Sequence, residues 1–182
     1  MSCTSVHPPT RASLCNYDAF FGEISVLALA LIGDGLTDWT DETEWDDRID
    51  NTTAQVAQDP SLIRLLFGIG SLGKPDKTKV KFSRRREVFG TPKYTFEFTV
   101  DDTGTANWAW MRAIPTAGQT FTGWFGTEDR LFGGNAGVQM TISPSPNIPA
   151  SSDELITIVV DISFEGSVPE VIDMPAIAAL TA

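Results

Sequence analysis

Two stretches of this sequence alternate apolar and polar residues so regularly that they restrict the chain to a fold built on β-strands. In ELITIVVDISFEG, every second residue from position 156 is apolar: Ile156, Ile158, Val160, Ile162 and Phe164. In KYTFEFTV the same rule holds for Tyr94, Phe96, Phe98 and Val100. A period of two places such side chains on one face of a strand, where they pack into a core. We therefore expect strands over 93–100 and 154–166.

Other apolar segments extend this strand pattern. ISVLALALI (24–32) is apolar on both alternating faces, which is typical of a strand buried on both sides, although a buried helix fits so short a run equally well. SLIRLLFGIGSLGKP (61–75) predicts a strand that ends in a turn marked by Gly68, Gly70 and Gly73. KVKFSRRREVF (79–89) alternates as well, and we expect it to form a hairpin with 93–100 through a turn at 90–92. Three further strands are predicted over 119–125, 130–134 and 136–144.

Two short segments have helical spacing instead. In the first, Thr40 or Asp41 can cap a helix over about 41–50, and Asp41 followed by Glu44 matches a capping box. Trp45 and Ile49 lie four residues apart and give that helix an apolar stripe. The second helix is predicted over 105–114, with an apolar face made of Trp108, Met111 and Ile114, and Pro115 ends it.

The length of 182 residues and these elements predict one mainly β domain. We expect an antiparallel β-sandwich or barrel with one or two short α-helices over residues 20–166. Residues 1–19 and 167–182 have no strand or helix period and are predicted to be extended terminal arms. The N-terminal stretch has no apolar run behind a basic flank, so we expect no secretory signal. The longest apolar run has nine residues, too few for a membrane span.

Charge is distributed unevenly along the chain. The formal net charge of −11 disfavours a generic affinity for nucleic acid or for an anionic membrane. Residues 36–50 contain seven carboxylates, whereas residues 74–93 contain eight of the 13 lysines and arginines. The basic segment could be a nucleic-acid patch, although the net charge disfavours this interpretation. A second interpretation is that both segments are solvated faces. The third is that the basic segment of one copy contacts the acidic helix of a neighbouring copy, which suits rings and stacks. The predicted interface residues are Arg84, Arg85, Arg86, Asp41, Glu42, Glu44, Asp46 and Asp47.

Histidine and cysteine chemistry has few candidates here. His7 is the single histidine, and it precedes two prolines in the polar N-terminal arm, which is a poor place to hold a general base. Cys3, His7 and Cys15 lack a fourth soft ligand for zinc. Both cysteines are therefore interpreted as small apolar residues. The sequence predicts no catalytic residue of this kind.

The carboxylates of the acidic segment could in principle serve calcium binding or glycoside hydrolysis. An EF-hand loop starting at Asp34 would put Leu36 at position 3 and Trp39 at position 6, where an acid or amide and a glycine are needed. A glycosidase would use two carboxylates, with Trp39 and Trp45 stacking on the sugar, but an acidic chain offers carboxylate pairs anywhere. We expect the carboxylates to cap a helix and to keep its outer face charged.

A phosphate-binding loop is the last candidate site. Gly68, Gly73 and Lys74 match the Walker pattern, but Pro75 stands where serine or threonine is required. Proline removes the hydroxyl group that binds magnesium and resists the helix that must follow. We therefore predict no nucleotide, no cofactor, no metal and no enzymatic activity.

The order of these segments resembles that of small β-rich virion proteins of tailed phages, the tail tube proteins among them. The resemblance covers about residues 20–166 and is carried by TDWTDETEW, IRLLFGIGSLGKP, KYTFEFTV, NWAWMRAI, GWFGTEDRLFGGNAGV and SDELITIVVDISFEG. It implies a β-sandwich or barrel with a flanking helix, hexameric rings stacked into a tube, and arms and hairpins that reach between subunits. It also implies that the partners are copies of the chain and other virion proteins, with DNA as passing cargo.

By the same resemblance the protein is made in the host cytoplasm and resides in the virion, without a membrane. The three arginines would then have to stay away from a lumen that DNA crosses. Two alternatives remain open from the sequence. A capsid decoration or head–tail connector protein shares nearly all of these features. A carbohydrate-binding β-sandwich would use exposed tryptophans, but such a module would be expected to follow a secretory signal.

Overall fold

The strands of this chain close into an antiparallel barrel. A computed structural model describes residues 22–50, 62–83, 86–101, 104–115, 117–148, 150, 156–167 and 169–174. The strands are β1 (Ile24–Ala30), β2 (Arg64–Gly70), β3 (Lys79–Ser83), β4 (Arg86–Phe89), β5 (Lys93–Val100), β6 (Gln119–Gly126), β7 (Arg130–Phe132), β8 (Val138–Asn147), β9 (Thr157–Glu165) and β10 (Val171–Asp173). The helices are α1 (Glu42–Arg48) and α2 (Thr105–Ala113). The barrel ring runs β1–β2–β5–β9–β8–β6 and returns to β1, while β7 and β10 extend the sheet from β6. The mainly β prediction, with a barrel and two short helices, is confirmed.

Strand β1 separates two apolar clusters. Its residues Ile24, Leu27 and Leu29 point into the barrel interior with most of the buried aromatic residues. Val26, Ala28 and Ala30 point outward into a second cluster, which contains Trp45 and Trp124 and which we call the outer cluster. Both edges of β1 are also paired, with β2 and with β6. The apolar run at 24–32 therefore forms a strand that is buried on both sides, and not a buried helix.

Helix α2 covers one end of the barrel, which we call the helix end. Its buried residues follow the spacing i, i+3, i+4 and i+7: Asn107, Trp110, Met111 and Ile114. The position of the helix was predicted correctly, but its buried face begins at Asn107 and not at Trp108. Trp110 therefore enters the interior, while Trp108 is only half-buried. Arg64 makes that start possible, since its Nη1 donates a hydrogen bond to Asn107 Oδ1 at 3.1 Å and its guanidinium lies 5.7 Å from the centre of the Trp110 ring. No helix in the described ranges is long and apolar enough to cross a membrane.

The prediction of a hairpin between 79–89 and 93–100 is wrong. Strand β3 pairs with β4, and the chain reverses between Ser83 and Arg86 instead of at 90–92. Strand β5 belongs to the barrel, where it pairs with β2 on one side and β9 on the other. The reason is the apolar face of β5, which is buried in the interior and would be exposed if β5 left the barrel with β3 and β4.

The predicted glycine turn is also partly wrong. Gly68 and Gly70 lie inside β2, opposite β5, and only Gly73 lies in the link that follows. A Cβ atom at Gly68 would overlap the carbonyl oxygen of Thr99. Glycine at this position therefore allows a close approach of two backbones, which is one of its ordinary roles within strands. The same placement removes the geometry of a phosphate loop.

Candidate assembly surfaces

Helix α1 is fixed to the barrel by tryptophans. Trp45 is 0 % exposed, and its Nε1 donates a hydrogen bond to the carbonyl oxygen of Trp39 at 2.9 Å. Its ring meets Trp124 of β6 edge to face, with centroids 5.4 Å apart. Trp124 Nε1 in turn donates to the carbonyl oxygen of Gly134 at 2.7 Å. Because each buried indole N–H in this stack has a partner, the outer cluster holds α1 without leaving these polar groups unpaired.

The burial of the tryptophans also bears on sugar binding. Trp39, Trp45, Trp110 and Trp124 are buried, so these four offer no free aromatic face to solvent, and Trp108 is half-buried. Stacking on a sugar ring needs such a face. Trp39 and Trp45 are therefore structural residues of the outer cluster.

The N-terminus of α1 is capped largely as the sequence indicated. Asp41 is the N-cap, and its carboxylate accepts a hydrogen bond from Thr43 N at 2.9 Å. Glu44 departs from the capping-box pattern, because its carboxylate accepts from Thr37 N at 2.8 Å and from Asp38 N at 2.9 Å. Glu44 thus stabilises the preceding loop in addition to its own helix.

Arg48 links the end of α1 to the same loop. Its Nη2 lies 3.2 Å from Asp34 Oδ2, and its Nη1 donates to the carbonyl oxygen of Gly35 at 2.7 Å. Glu44 Oε1 lies 3.7 Å from Nη1. Burial raises the pKa of Glu44, but the two backbone hydrogen bonds and the Arg48 charge outweigh it and leave that pKa lowered. Asp34, Glu44 and Arg48 are therefore engaged within the fold.

The remaining predicted acids of this helix face outward. Asp41, Glu42, Asp46 and Asp47 are all exposed, and we call these four residues the acidic face. The predicted interface set also includes Glu44, but the Glu44 side chain points toward Arg48 and the preceding loop. Four of the five acids proposed for an interface are thus placed where a partner can reach them.

The basic residues lie on a separate element. Strands β3 and β4 form a two-stranded sheet outside the barrel, joined to it at its base by backbone hydrogen bonds between Asp76 and Lys93. Lys74, Lys77 and Lys79 are exposed along this segment, and Phe89 is 58 % exposed. We call residues 74–89 the basic hairpin. Arg84 and Arg85 lie outside the described residues, and of Arg86 only the backbone, paired with Ser83, is described.

A third surface was missed in the sequence. The outward residues of β5, β9 and β8 line a shallow depression of about 520 Å³, and most of its lining residues are polar. Two rows cross it in register: Glu97, Asp161 and Ser143, then Thr95, Ser163 and Thr141. We call these six residues the polar face. The sequence does contain a signal for this face. In each of the three strands the polar-face residues, which alternate with the apolar core residues, are threonine, serine, aspartate or glutamate.

A metal centre is the one other kind of site that the geometry of the described residues addresses. They contain no group of three or more His, Cys, Asp or Glu side chains arranged to hold a metal ion. His7, Cys3 and Cys15 lie outside the described residues, as do the parts of the predicted arms at 1–19 and 175–182. Comparison with known proteins finds no matching family model, no matching curated protein and no matching solved structure.

Proposed function

We propose that this chain is a non-enzymatic structural subunit that assembles into stacked rings, as in the tail tube of a phage virion. The observation that carries the proposal is the position of the basic hairpin. A two-stranded sheet is marginally stable in water when it stands alone, and this one lies outside the barrel with Phe89 exposed. A neighbouring subunit would supply the surface that such a hairpin needs.

Charge supports the acidic face as that surface. The basic hairpin leaves the barrel at the end where β2 finishes and β5 starts, whereas α1 lies against the outside of the barrel over β1 and β6. The two surfaces are opposite in charge and distinct in position. A contact between unlike surfaces of identical chains is heterologous, so it propagates into a ring or a filament instead of ending at a dimer.

The polar face supports a channel through the assembly. Glu97 and Asp161 are directly opposite each other on β5 and β9, and like charges in that position destabilise a sheet. Their placement makes sense if this face lines a lumen, because carboxylates repel the phosphates of DNA and let it pass without binding. The basic hairpin would be withdrawn from that lumen by its contact with the acidic face.

The proposal is tested by sedimentation and electron microscopy of the purified chain at rising concentration. We expect rings or tubes with a central channel. A single ring that never stacks would favour a connector role, and a chain that stays monomeric at all concentrations would contradict self-assembly. The burial of four of the five tryptophans disfavours the carbohydrate-binding alternative, which requires exposed tryptophans.

A charge exchange tests the hairpin contact itself. Changing Arg84, Arg85 and Arg86 to Glu, or Asp46 and Asp47 to Lys, is expected to raise the concentration needed for assembly by at least about tenfold, since 1.4 kcal/mol corresponds to that factor. Mixing the two variants should restore assembly, because each then offers the complement of the other. Changing Glu23 and Glu128 to Lys is the matched control, as both are exposed and lie outside the acidic face. Failure of the mixture to recover would contradict this pairing.

A further inference from the structure

An open depression of about 630 Å³ lies at the end of the barrel opposite the helix end. Three parts of the chain line it: the glycine-rich turn 133–137 between β7 and β8, the link between β9 and β10, and Trp39 from the loop before α1. Sites for small molecules have volumes of about 300–1,000 Å³. The depression is therefore large enough to hold one.

Hydrogen bonds fix the walls of this depression to one another. Gly133 N donates to the carbonyl oxygen of Glu170 at 3.0 Å, and Trp39 N donates to Asn135 Oδ1 at 3.0 Å. A Cβ atom at Gly134 would lie 2.8 Å from Glu170 Oε2, so glycine at this position leaves room for the carboxylate. The walls thus hold their positions without the help of a ligand.

Trp39 brings a hydrogen-bond donor without a partner to the depression. The residue is 7 % exposed, and its indole N–H donates no hydrogen bond to any of the described residues. This N–H is not among the described polar atoms that are sealed from solvent without a partner, so solvent reaches it from the depression that Trp39 lines. Because the ring is buried in the outer cluster, Trp39 offers its N–H but no aromatic face.

Two carboxylates supply the complementary acceptors. Glu165 and Glu170 line the depression and are exposed, and neither side chain has a hydrogen bond or ion pair within the described residues. Gln139 and Ser167 add an amide and a hydroxyl group. A ligand group that uses the Trp39 N–H and a carboxylate must both accept and donate. A hydroxyl group does both, whereas an ammonium group only donates and a phosphate mainly accepts.

We infer that this depression binds a saccharide through hydrogen bonds. One hydroxyl of the sugar accepts from Trp39 Nε1, and neighbouring hydroxyls donate to Glu165 and Glu170. This binding is separate from the proposed assembly, because it uses neither the basic hairpin, the acidic face nor the polar face. It also differs from stacking on a tryptophan, which requires an exposed ring.

Saturation-transfer difference NMR of maltotriose and of tri-N-acetylchitotriose with the full chain tests this inference. We expect saturable binding of at least one of these neutral sugars. Glu165→Ala combined with Glu170→Ala should raise its Kd at least about tenfold, because hydrogen bonds to charged acceptors are lost. Glu23→Ala combined with Glu128→Ala is the matched control. It removes the same charge from exposed acids outside the depression and should leave the Kd unchanged.

The indole N–H groups give a second readout. In nitrogen–proton correlation spectra recorded below the assembly concentration, Trp39→Phe identifies the indole signal of Trp39 by its loss. That signal should shift on saturation with the sugar, whereas the signals of Trp45 and Trp124 should stay, since their N–H groups already have partners.

Three results would each overturn the inference. They are no binding of either sugar, binding that persists without the two carboxylates, and a Trp39 signal that does not move. The two carboxylates are exposed, so their variant keeps the test valid even if Trp39→Phe fails to fold. Because none of these measurements requires rings or tubes, their outcome is independent of the proposed function.

Discussion

Helix α1 and the basic hairpin are the two charged excursions from the barrel, and they are held in opposite ways. Trp45, Glu44 and Arg48 bind α1 to the outer cluster and to the loop before it. The basic hairpin is joined to the barrel at its base, and Phe89, one of its two aromatic residues, is exposed. Charge in itself therefore says little about role. In the helix, part of the charge stabilises the fold, while Lys74, Lys77 and Lys79 of the hairpin are exposed.

The largest expected effect comes from replacing one aromatic residue in each of the two regions. Trp45→Ala should lower the free energy of unfolding by about 3–5 kcal/mol, because it empties a fully buried site in the outer cluster. Phe89→Ala should change it by less than about 1 kcal/mol, because Phe89 is exposed and loses only a cation–π contact with Lys79. Urea unfolding of both variants at a concentration below assembly measures the difference. A comparable loss for Phe89→Ala would mean that the hairpin packs on its own barrel.

A smaller effect separates the two kinds of acid on α1. Glu44→Gln should cost about 1–2 kcal/mol at pH 7, since the amide accepts the Thr37 and Asp38 hydrogen bonds less well and loses the Arg48 interaction. Asp47→Asn, on the acidic face, should change the free energy of unfolding by less than about 0.5 kcal/mol. Urea unfolding at pH 7 compares the two.

The pH dependence sharpens the same comparison. Folding lowers the pKa of Glu44 from its ordinary value of 4.5, so the folded state holds the ionised form more strongly than the unfolded state does. Its contribution is complete above the unfolded pKa and is lost as the pH falls through the folded one. The free energy of unfolding should therefore fall less between pH 7 and pH 3 in Glu44→Gln than in the unmodified chain. An equal fall in both would exclude Glu44 as a source of acid sensitivity.

The sequence predicted well where the physical cause is local. The cap at Asp41, the stripe of Trp45 and Ile49 and the end at Pro115 involve neighbours in the chain, and both helices lie where these signals put them. The burial of β1 on two sides was also readable, because both alternating sets of its residues are apolar.

The pairing of the strands and the closure of the barrel could not be predicted from the sequence, because both depend on residues that are far apart in the chain. The alternation in 79–89 is compatible with pairing to 93–100 or with a hairpin within 79–89. The second arrangement forms because β5 is paired with β2 and β9 in the barrel and is not available to β3 or β4. Likewise, nothing near Glu44 indicates that it bonds to the loop before the helix instead of joining the acidic face. The polar face required knowing that β5, β9 and β8 are neighbours, which follows from the sheet order and not from any one strand.

The smallest expected effect concerns a single lysine of the basic hairpin. Lys79 is exposed, and its Nζ lies 5.8 Å from the centre of the Phe89 ring. Lys79→Glu should change the free energy of unfolding by less than about 0.5–1 kcal/mol, the usual value of an exposed cation–π contact. It should nevertheless raise the assembly concentration severalfold at about 0.1 M salt, because in the proposed contact it puts a negative charge opposite the acidic face.

Salt decides whether that effect is electrostatic. At about 1 M ionic strength the screening length shortens to about 3 Å, so the difference between Lys79→Glu and the unmodified chain should nearly vanish. Ala109→Glu is the control, since Ala109 is exposed on α2 and lies outside the hairpin. If the Lys79 effect persists at high salt, the hairpin binds its neighbour through Phe89 and shape. Helix α1 and the basic hairpin would then differ in what each packs against, its own barrel or a neighbouring copy. Charge would only orient the two copies as they approach each other.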